Sequence, residues 1–285
     1  MQSLKENIHI EDNYAGVTLA AITLPQGTIY LDAPLAPEDA RTWRASLLDF
    51  ERGHERILIN LDTNIDRIIG SRAMDINVLA HRKLSDYFKN RSGSFKTQGY
   101  NTGSTWETKT NIGNIRWAPP RITFTKKMTI YWSETPVIIE HHPGADTGAI
   151  WVILPEEKIV FIGDTVVKNQ PPFLANADLP CWIEELELLT SETYQGYTIV
   201  SGRGGVCASS TIEKQQEIIS TAHNKLKALA EKNALEEATK AIIPELLEPL
   251  RFPASEREFF AQRLRHGLKE YYLRHYQNKE EEEEE

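Results

Sequence analysis

Up to about residue 165, apolar residues come in short runs broken by turn signals; after Ser210 they recur every three or four positions. The runs 17–24 and 28–31 flank Pro25-Gln26-Gly27, which predicts an opening hairpin. Pro37-Glu38-Asp39-Ala40 predicts a helix running to Phe50, because proline and acidic side chains suit the free N–H groups and the dipole of a first turn. Residues 56–60 read as a short buried strand, and a strand after a helix after a hairpin predicts α/β organisation. Further strand patterns fall at 121–124, 128–132, 137–140, 149–154 and 159–163. The helical spacing then predicts three helices, 212–231, 235–250 and 255–276. In the last of these Phe260, Leu264, Leu268, Tyr272 and Tyr276 recur every four residues, a stripe to be buried within the chain or against a second copy.

The stretch 90–120 differs in kind. It is rich in Ser, Thr, Asn and Gly, yet carries Tyr100, Trp106 and Trp117, and it exceeds an ordinary connection. It reads either as a rim or lid over a site or as a surface excursion pinned by its aromatics.

Composition narrows the class. With 285 residues, 40% of them hydrophobic, the chain can bury one large core plus an appendage, or two modest domains, without a staple. The net charge is −9, but Glu280 to Glu285 supply six of those charges, so the excess reads as a solvated, disordered tail and nucleic acid is not an expected partner. Cys181 and Cys207 form no C-x-x-C pair, which suits a reducing compartment. Residues 1–13 have no signal-peptide pattern and no run reaches about 18 apolar residues, so a cytoplasmic protein without membrane contact is expected.

Three segments carry chemistry. In the first, the hydrophobic strand segment Leu58-Ile59-Asn60-Leu61 runs into a loop with Asp62, Asn64 and Asp66 on alternate positions, followed by Arg67. The spacing imitates a calcium loop, but Arg67 stands where the turn glycine belongs and Ala73 where a bidentate glutamate belongs, so an EF-hand is rejected. The second is His141-His142-Pro143-Gly144-Ala145-Asp146-Thr147-Gly148, followed at strand-turn-strand distance by Gly163-Asp164. The third is a β-prone run ending in Gly202-Arg203-Gly204-Gly205.

In order and spacing these segments resemble the metallo-β-lactamase superfamily, with its His-x-His-x-Asp-His loop, Pro-Gly-His-Thr turn, Gly-Asp strand end and Gly-His-Gly turn. The likeness runs from about Tyr14 to Gly205. It implies a four-layered αββα metallo-β-lactamase-type sandwich over residues 1–210, a C-terminal helical extension over 211–279 and the acidic tail 280–285. It also places the family's metal-site positions on Asp62, Asn64, Asp66, Arg67, Ala145, Asp164 and Arg203, where no histidine remains. Zinc in such sites wants neutral imidazoles around an open position, so a degenerate metal site without two-zinc hydrolysis is implied, with no cofactor expected. Arg67 and Arg203 would stand in for metal charge and pair with Asp62, Asp66 and Asp164.

Several activities remain open on this reading. The cleft could bind an anionic small molecule through Arg67 and Arg203, with the glycines at 202, 204 and 205 allowing close approach and Phe173 and Trp182 supplying apolar walls. The alternative is an atypical hydrolase holding a single hard divalent metal on Asp62, Asn64, Asp66 and Asp164. Candidate catalytic groups are Asp66, Asp164 and His142; His141 is a weaker candidate, and His54 and His81 carry less weight still. A third class is an interaction protein whose C-terminal helices form an oligomer or partner surface.

Overall fold

The computed structural model of the chain describes residues 1–89, 91–95, 101–109, 112 and 115–277. Tyr100 and the tail 280–285 lie outside the described residues. Strands β1 (Gln2–Lys5), β2 (Ile8–Glu11), β3 (Leu19–Leu24), β4 (Gly27–Leu31), β5 (Glu55–Ile59), β6 (Asn77–His81) and β7 (Ile122–Phe124) form one sheet in that order. Its first half is antiparallel and its second half, from β4 to β7, is parallel. A second sheet takes β8 (Lys127–Ile130), β9 (Val137–His141), β10 (Ile150–Leu154), β11 (Ile159–Phe161), β12 (Thr198–Ser201) and β13 (Gly205–Val206), also in order, with only the β11–β12 pair parallel. The helices are α1 (Pro37–Ser46), α2 (Ile65–Ile68), α3 (Arg82–Lys89), α4 (Leu179–Thr190), α5 (Ser209–Ala230), α6 (Ile243–Leu247) and α7 (Arg257–Tyr272).

The layers follow from the period of two along each strand. Ile8, Ile10, Ile22, Ile29, Ile57 and Leu79 of the first sheet meet Val137, Ile139, Ile150, Val152, Phe161 and Val200 of the second in one apolar core. The opposite faces are apolar as well, so these strands read as unbroken runs. Leu19, Ala21, Tyr30, Leu58 and Val78 cover α1 through Ala40 and Trp43. Trp151, Ile153, Val160 and Ile199 pack instead on α4, α5 and α7. The result is a helix, sheet, sheet, helix sandwich, with the C-terminal helices sharing one apolar cluster with the second sheet.

The expected hairpin forms with Pro25 and Gln26 as its loop and Leu24 opposite Gly27. Helix α1 stops at Ser46 rather than at Phe50, because Leu47 N–H turns back to Arg44 and tight turns then lead to β5. The region 235–250 is a 3-10 segment, Glu236–Ile242, followed by α6; Pro244 in the first turn of α6 has no N–H to continue the earlier helix. β1 and β2 arise in a stretch that reads as polar, because only Ile8 and Ile10 face the core while β1 lies at the edge. β6, α3 and α4 were likewise not expected from the pattern, although α4 carries a clear start signal: Asp178 accepts from Cys181 N–H.

Among the described residues of 90–120, Phe95, Trp106, Ile112 and Trp117 are buried with Ile68, Ile69, Ala80 and Leu84. The aromatics therefore pin this segment, and the same pinning brings its backbone to the site. No helix among the described residues is long and apolar enough to cross a membrane.

Candidate functional site

The carboxyl ends of β4, β5, β11 and β12 converge on one place, and each delivers a charged side chain. Asp32 follows β4, Asp62 follows β5, Asp164 follows β11 and Arg203 follows β12. Asp66 and Arg67 come from α2, whose start is fixed by Asn64: its side chain accepts from Asp66 N–H at 3.0 Å.

Arg67 is fully buried and meets three carboxylates. Its Nη1 donates to Asp32 Oδ2 at 2.5 Å, its Nη2 donates to Asp164 Oδ1, and its Nε lies 2.7 Å from Asp62 Oδ2, close in charge terms though out of hydrogen-bond alignment. Arg203 is buried beside it. Its Nε donates to Asp164 Oδ2 at 2.9 Å and Oδ1 at 3.1 Å, and its Nη1 donates to Asp66 Oδ2 at 2.8 Å. Backbone N–H groups supply the remaining donors: Leu61 to Asp32 at 3.0 Å, Asn64 to Asp62 at 2.9 Å, Thr105 and Trp106 to Asp66 at 3.0 and 2.8 Å. Asp164 thus bridges the two arginines.

Two guanidinium groups face four carboxylates, so the buried set carries an excess of negative charge. Its titration follows from burial first and from the neighbouring charges second. Burial lifts Asp62 well above the usual carboxylate range, with Arg67 opposing and Asp164 and Asp146 adding to the rise. Burial likewise raises Asp32 against the pull of Arg67. Burial also works to raise Asp164, but Arg203 and Arg67 together outweigh it and hold this carboxyl below its ordinary value. For Arg67 burial favours the neutral form, yet the carboxylates around it keep the guanidinium more firmly protonated than usual.

Above this lattice lies a cleft of about 260 Å³. Of the seven sequence-derived positions, Asp62, Asn64, Ala145 and Asp164 line it, whereas Asp66, Arg67 and Arg203 sit beneath its floor. Both arginines are spent on aspartates and neither lines the cleft, which corrects the expectation that they grip an anion there. The remaining nitrogen, Arg203 Nη2, is buried without a hydrogen-bond partner among the described residues, and the Phe173 ring lies against the group with its centroid 4.6 Å from Cζ. The proposed oxygen set for a single hard metal fares no better as a free donor set: Asn64 Oδ1 caps α2 and every Asp66 oxygen already accepts from an N–H group. Among the described residues, no three His, Cys, Asp or Glu side chains are arranged to hold a metal ion.

His142, a candidate catalytic group from the sequence, points elsewhere. Its ring stacks on Trp151 at 3.8 Å and its Nδ1 lies 2.7 Å from Glu185 of α4, away from the cleft lining. His141 stacks on His81, with centroids 3.9 Å apart. Gly202 serves the lattice rather than a ligand, since a Cβ there would run into the Arg67 guanidinium. Trp182 belongs to the helical layer, where its indole N–H donates to Thr165 O, while Phe173 does line the cleft.

Sequence reading missed Asp32, Asp146, His266 and Arg263. Asp32 had a signal, an acidic residue directly after an apolar run, at the strand-end position where α/β folds place their sites. Asp146 accepts from Thr63 Oγ–H at 2.6 Å and from Gly148 N–H at 2.8 Å and forms part of the cleft wall. His266 and Arg263 reach the area from α7, a hundred residues away in sequence, and no local pattern marks them.

No family model matches the sequence, and no curated protein matches it. Solved structures do match in shape. The inverting sec-alkylsulfatase Pisa1 from Pseudomonas sp. superposes with a TM-score of 0.69 at 13% identity, over 96% of this chain and 49% of that one, so the chain spans about half the length of the sulfatase. The metallo-β-lactamase from Pontibacter korlensis gives 0.59 at 14% identity, over 77% of this chain and 97% of its own. The DIM-1 metallo-β-lactamase gives 0.58 at 15% identity, over 78% and 96%. At such identities the likeness is one of fold: the chain has the metallo-β-lactamase-type αββα sandwich with a C-terminal helical region.

Proposed function

We propose that this protein is not a two-zinc hydrolase and that it uses the cleft above Asp62 and Asp164 to bind a small molecule. The observation that carries the reading is Arg67, a side chain at one of the family's metal-loop positions, whose single guanidinium meets Asp32, Asp62 and Asp164 together. A cation of fixed charge at that point compensates the carboxylates as a metal would, and it occupies the Asp32, Asp62 and Asp164 oxygens that a metal would need. The lining of the cleft suits a polar small molecule: Asp62, Asp146 and Asp164 bring carboxyl groups, Ser104 and Asn176 bring polar side chains, and Phe173 brings an apolar ring.

The test is equilibrium dialysis of purified protein against zinc and against manganese, elemental analysis, and assay on thioester, phosphodiester and lactone substrates. The expected result is metal well below one ion per chain and no metal-stimulated turnover. One firmly held manganese per chain with turnover would overturn the proposal in favour of a mononuclear hydrolase on Asp62, Asn64, Asp66 and Asp164. Two zinc ions with turnover would overturn it outright.

A further inference from the structure

A second cavity, of about 720 Å³, opens between the start of α7, the segment after Asp164 and the 3-10 turn Thr105–Thr108. Its charge is one-sided: Lys168, Arg251 and Arg263 line it, against Glu256 alone. Lys168 and Arg251 are exposed and form no ion pair among the described residues.

Arg263 is the unusual member, because it is 1% exposed and has no carboxylate within ion-pair distance among the described residues. Its Nε donates to Gly103 O at 2.8 Å, and its Nη1 donates to Gln170 Oε1 at 2.8 Å and Pro171 O at 3.1 Å. These partners are neutral dipoles, so they satisfy hydrogen bonds without cancelling the charge. The Phe173 ring, its centroid 4.1 Å from Cζ, also lies against Arg203. Among the described residues its Nη2 has no hydrogen-bond partner. Burial, with Arg203 adding to it and the more distant Asp66, Asp164 and Glu107 opposing, brings the group down to about 9, which leaves it cationic at neutral pH. The contact is built for close approach: Gly103 has φ +72°, and a Cβ there would strike the Arg263 backbone.

We propose that this cavity is an anion site with Arg263 at its base and Lys168 and Arg251 at its mouth. It takes a small organic oxyanion, a phosphate, sulfate or carboxylate, whose apolar body lies on Phe252 and Phe259. The site is separate from the cleft and does not depend on what the cleft binds.

Phenyl phosphate is the probe, titrated into the full chain by calorimetry and by NMR of arginine Nε–H groups, with inorganic phosphate as competitor and phenol as the uncharged control. The expected result is saturable binding of phenyl phosphate, displaced by phosphate and not shared by phenol, with the Arg263 Nε–H resonance shifting and that of Arg67 still. Lys168→Glu and Arg251→Glu, both at exposed positions, should each weaken binding by about tenfold or more. Arg263→Gln should abolish it, and the two exposed variants decide the matter if that protein does not fold. Absence of saturable binding up to about 10 mM phenyl phosphate, affinity unchanged in both charge reversals, or equal binding of phenol overturns the assignment.

Discussion

Arg67 shows what a single buried side chain does here. It lies where no water can screen it, and it holds Asp32, Asp62 and Asp164 in place. Arg67→Met keeps the apolar stem but removes the counterion from three carboxylates, and taking one partner from a buried ion pair costs about 3–5 kcal/mol. Urea unfolding near neutral pH should report a loss of that size. The variant's pH dependence has a fixed sign. Without Arg67, Asp32 and Asp62 lose the influence that opposes burial, so their folded-state pKa values rise further above the unfolded one. The folded form then binds more protons than the unfolded chain, and the penalty should shrink as pH falls toward about 5. Gly202→Ala attacks the same group from the other side, because the new methyl meets the guanidinium; overpacking of this kind costs about 1–3 kcal/mol. Asp62, Asp66, Asp164 and the two arginines of this lattice were legible as residues in the sequence. Their pairing with Asp32 was not, because that contact spans 35 positions and depends on β4 and β5 lying side by side.

At the scale of elements, the two sheets are joined at their site-facing ends by His81 of β6 and His141 of β9, stacked at 3.9 Å with rings 4° from parallel. His81 Nε2 lies 2.9 Å from Thr125 O, and Lys83 N–H donates to its Nδ1 at 3.3 Å, so the neutral ring with hydrogen on Nε2 satisfies both. Protonation would turn the accepting nitrogen into a donor. Burial holds the His81 pKa below 6.5, with the neighbouring His141 charge acting in the same direction and the Thr125 carbonyl against both. For a histidine depressed on folding, the unfolded chain binds the extra proton, so this stabilisation is complete above about pH 6.5 and is lost as pH falls toward the folded value. His81→Gln keeps a donor for Thr125 and cannot titrate; it should flatten the stability slope between about pH 7 and 5 relative to the parent protein. An NMR titration of the parent should place the His81 midpoint below 6.5.

Across the whole molecule, α7 is no surface ornament. Phe260, Leu264, Leu268, Tyr271 and Tyr272 are all buried in the cluster that backs the second sheet. Burying each side chain is worth about 1.5–3 kcal/mol, and five together rival the net stability of a whole domain, about 5–15 kcal/mol. Deleting residues 255–285 should therefore abolish the cooperative thermal transition measured by circular dichroism, and with it the Arg263 contacts to Gly103 and Pro171. The stripe of Phe260, Leu264 and Leu268 was plain in the sequence; its burial against Leu174, Leu179 and Trp182 was not. By itself the sequence determined the apolar strand runs, the turn at Pro25-Gln26 and the apolar stripe of the last helix, because each is a matter of residue type and local spacing. Only the tertiary structure decided that Arg67 and Arg203 lie under the cleft instead of in it, that Asp32 completes their shell and that Arg263 arrives from α7. Buried charge must find its partner wherever the chain brings one, and that distance is set by sheet order and helix packing rather than by neighbours in sequence.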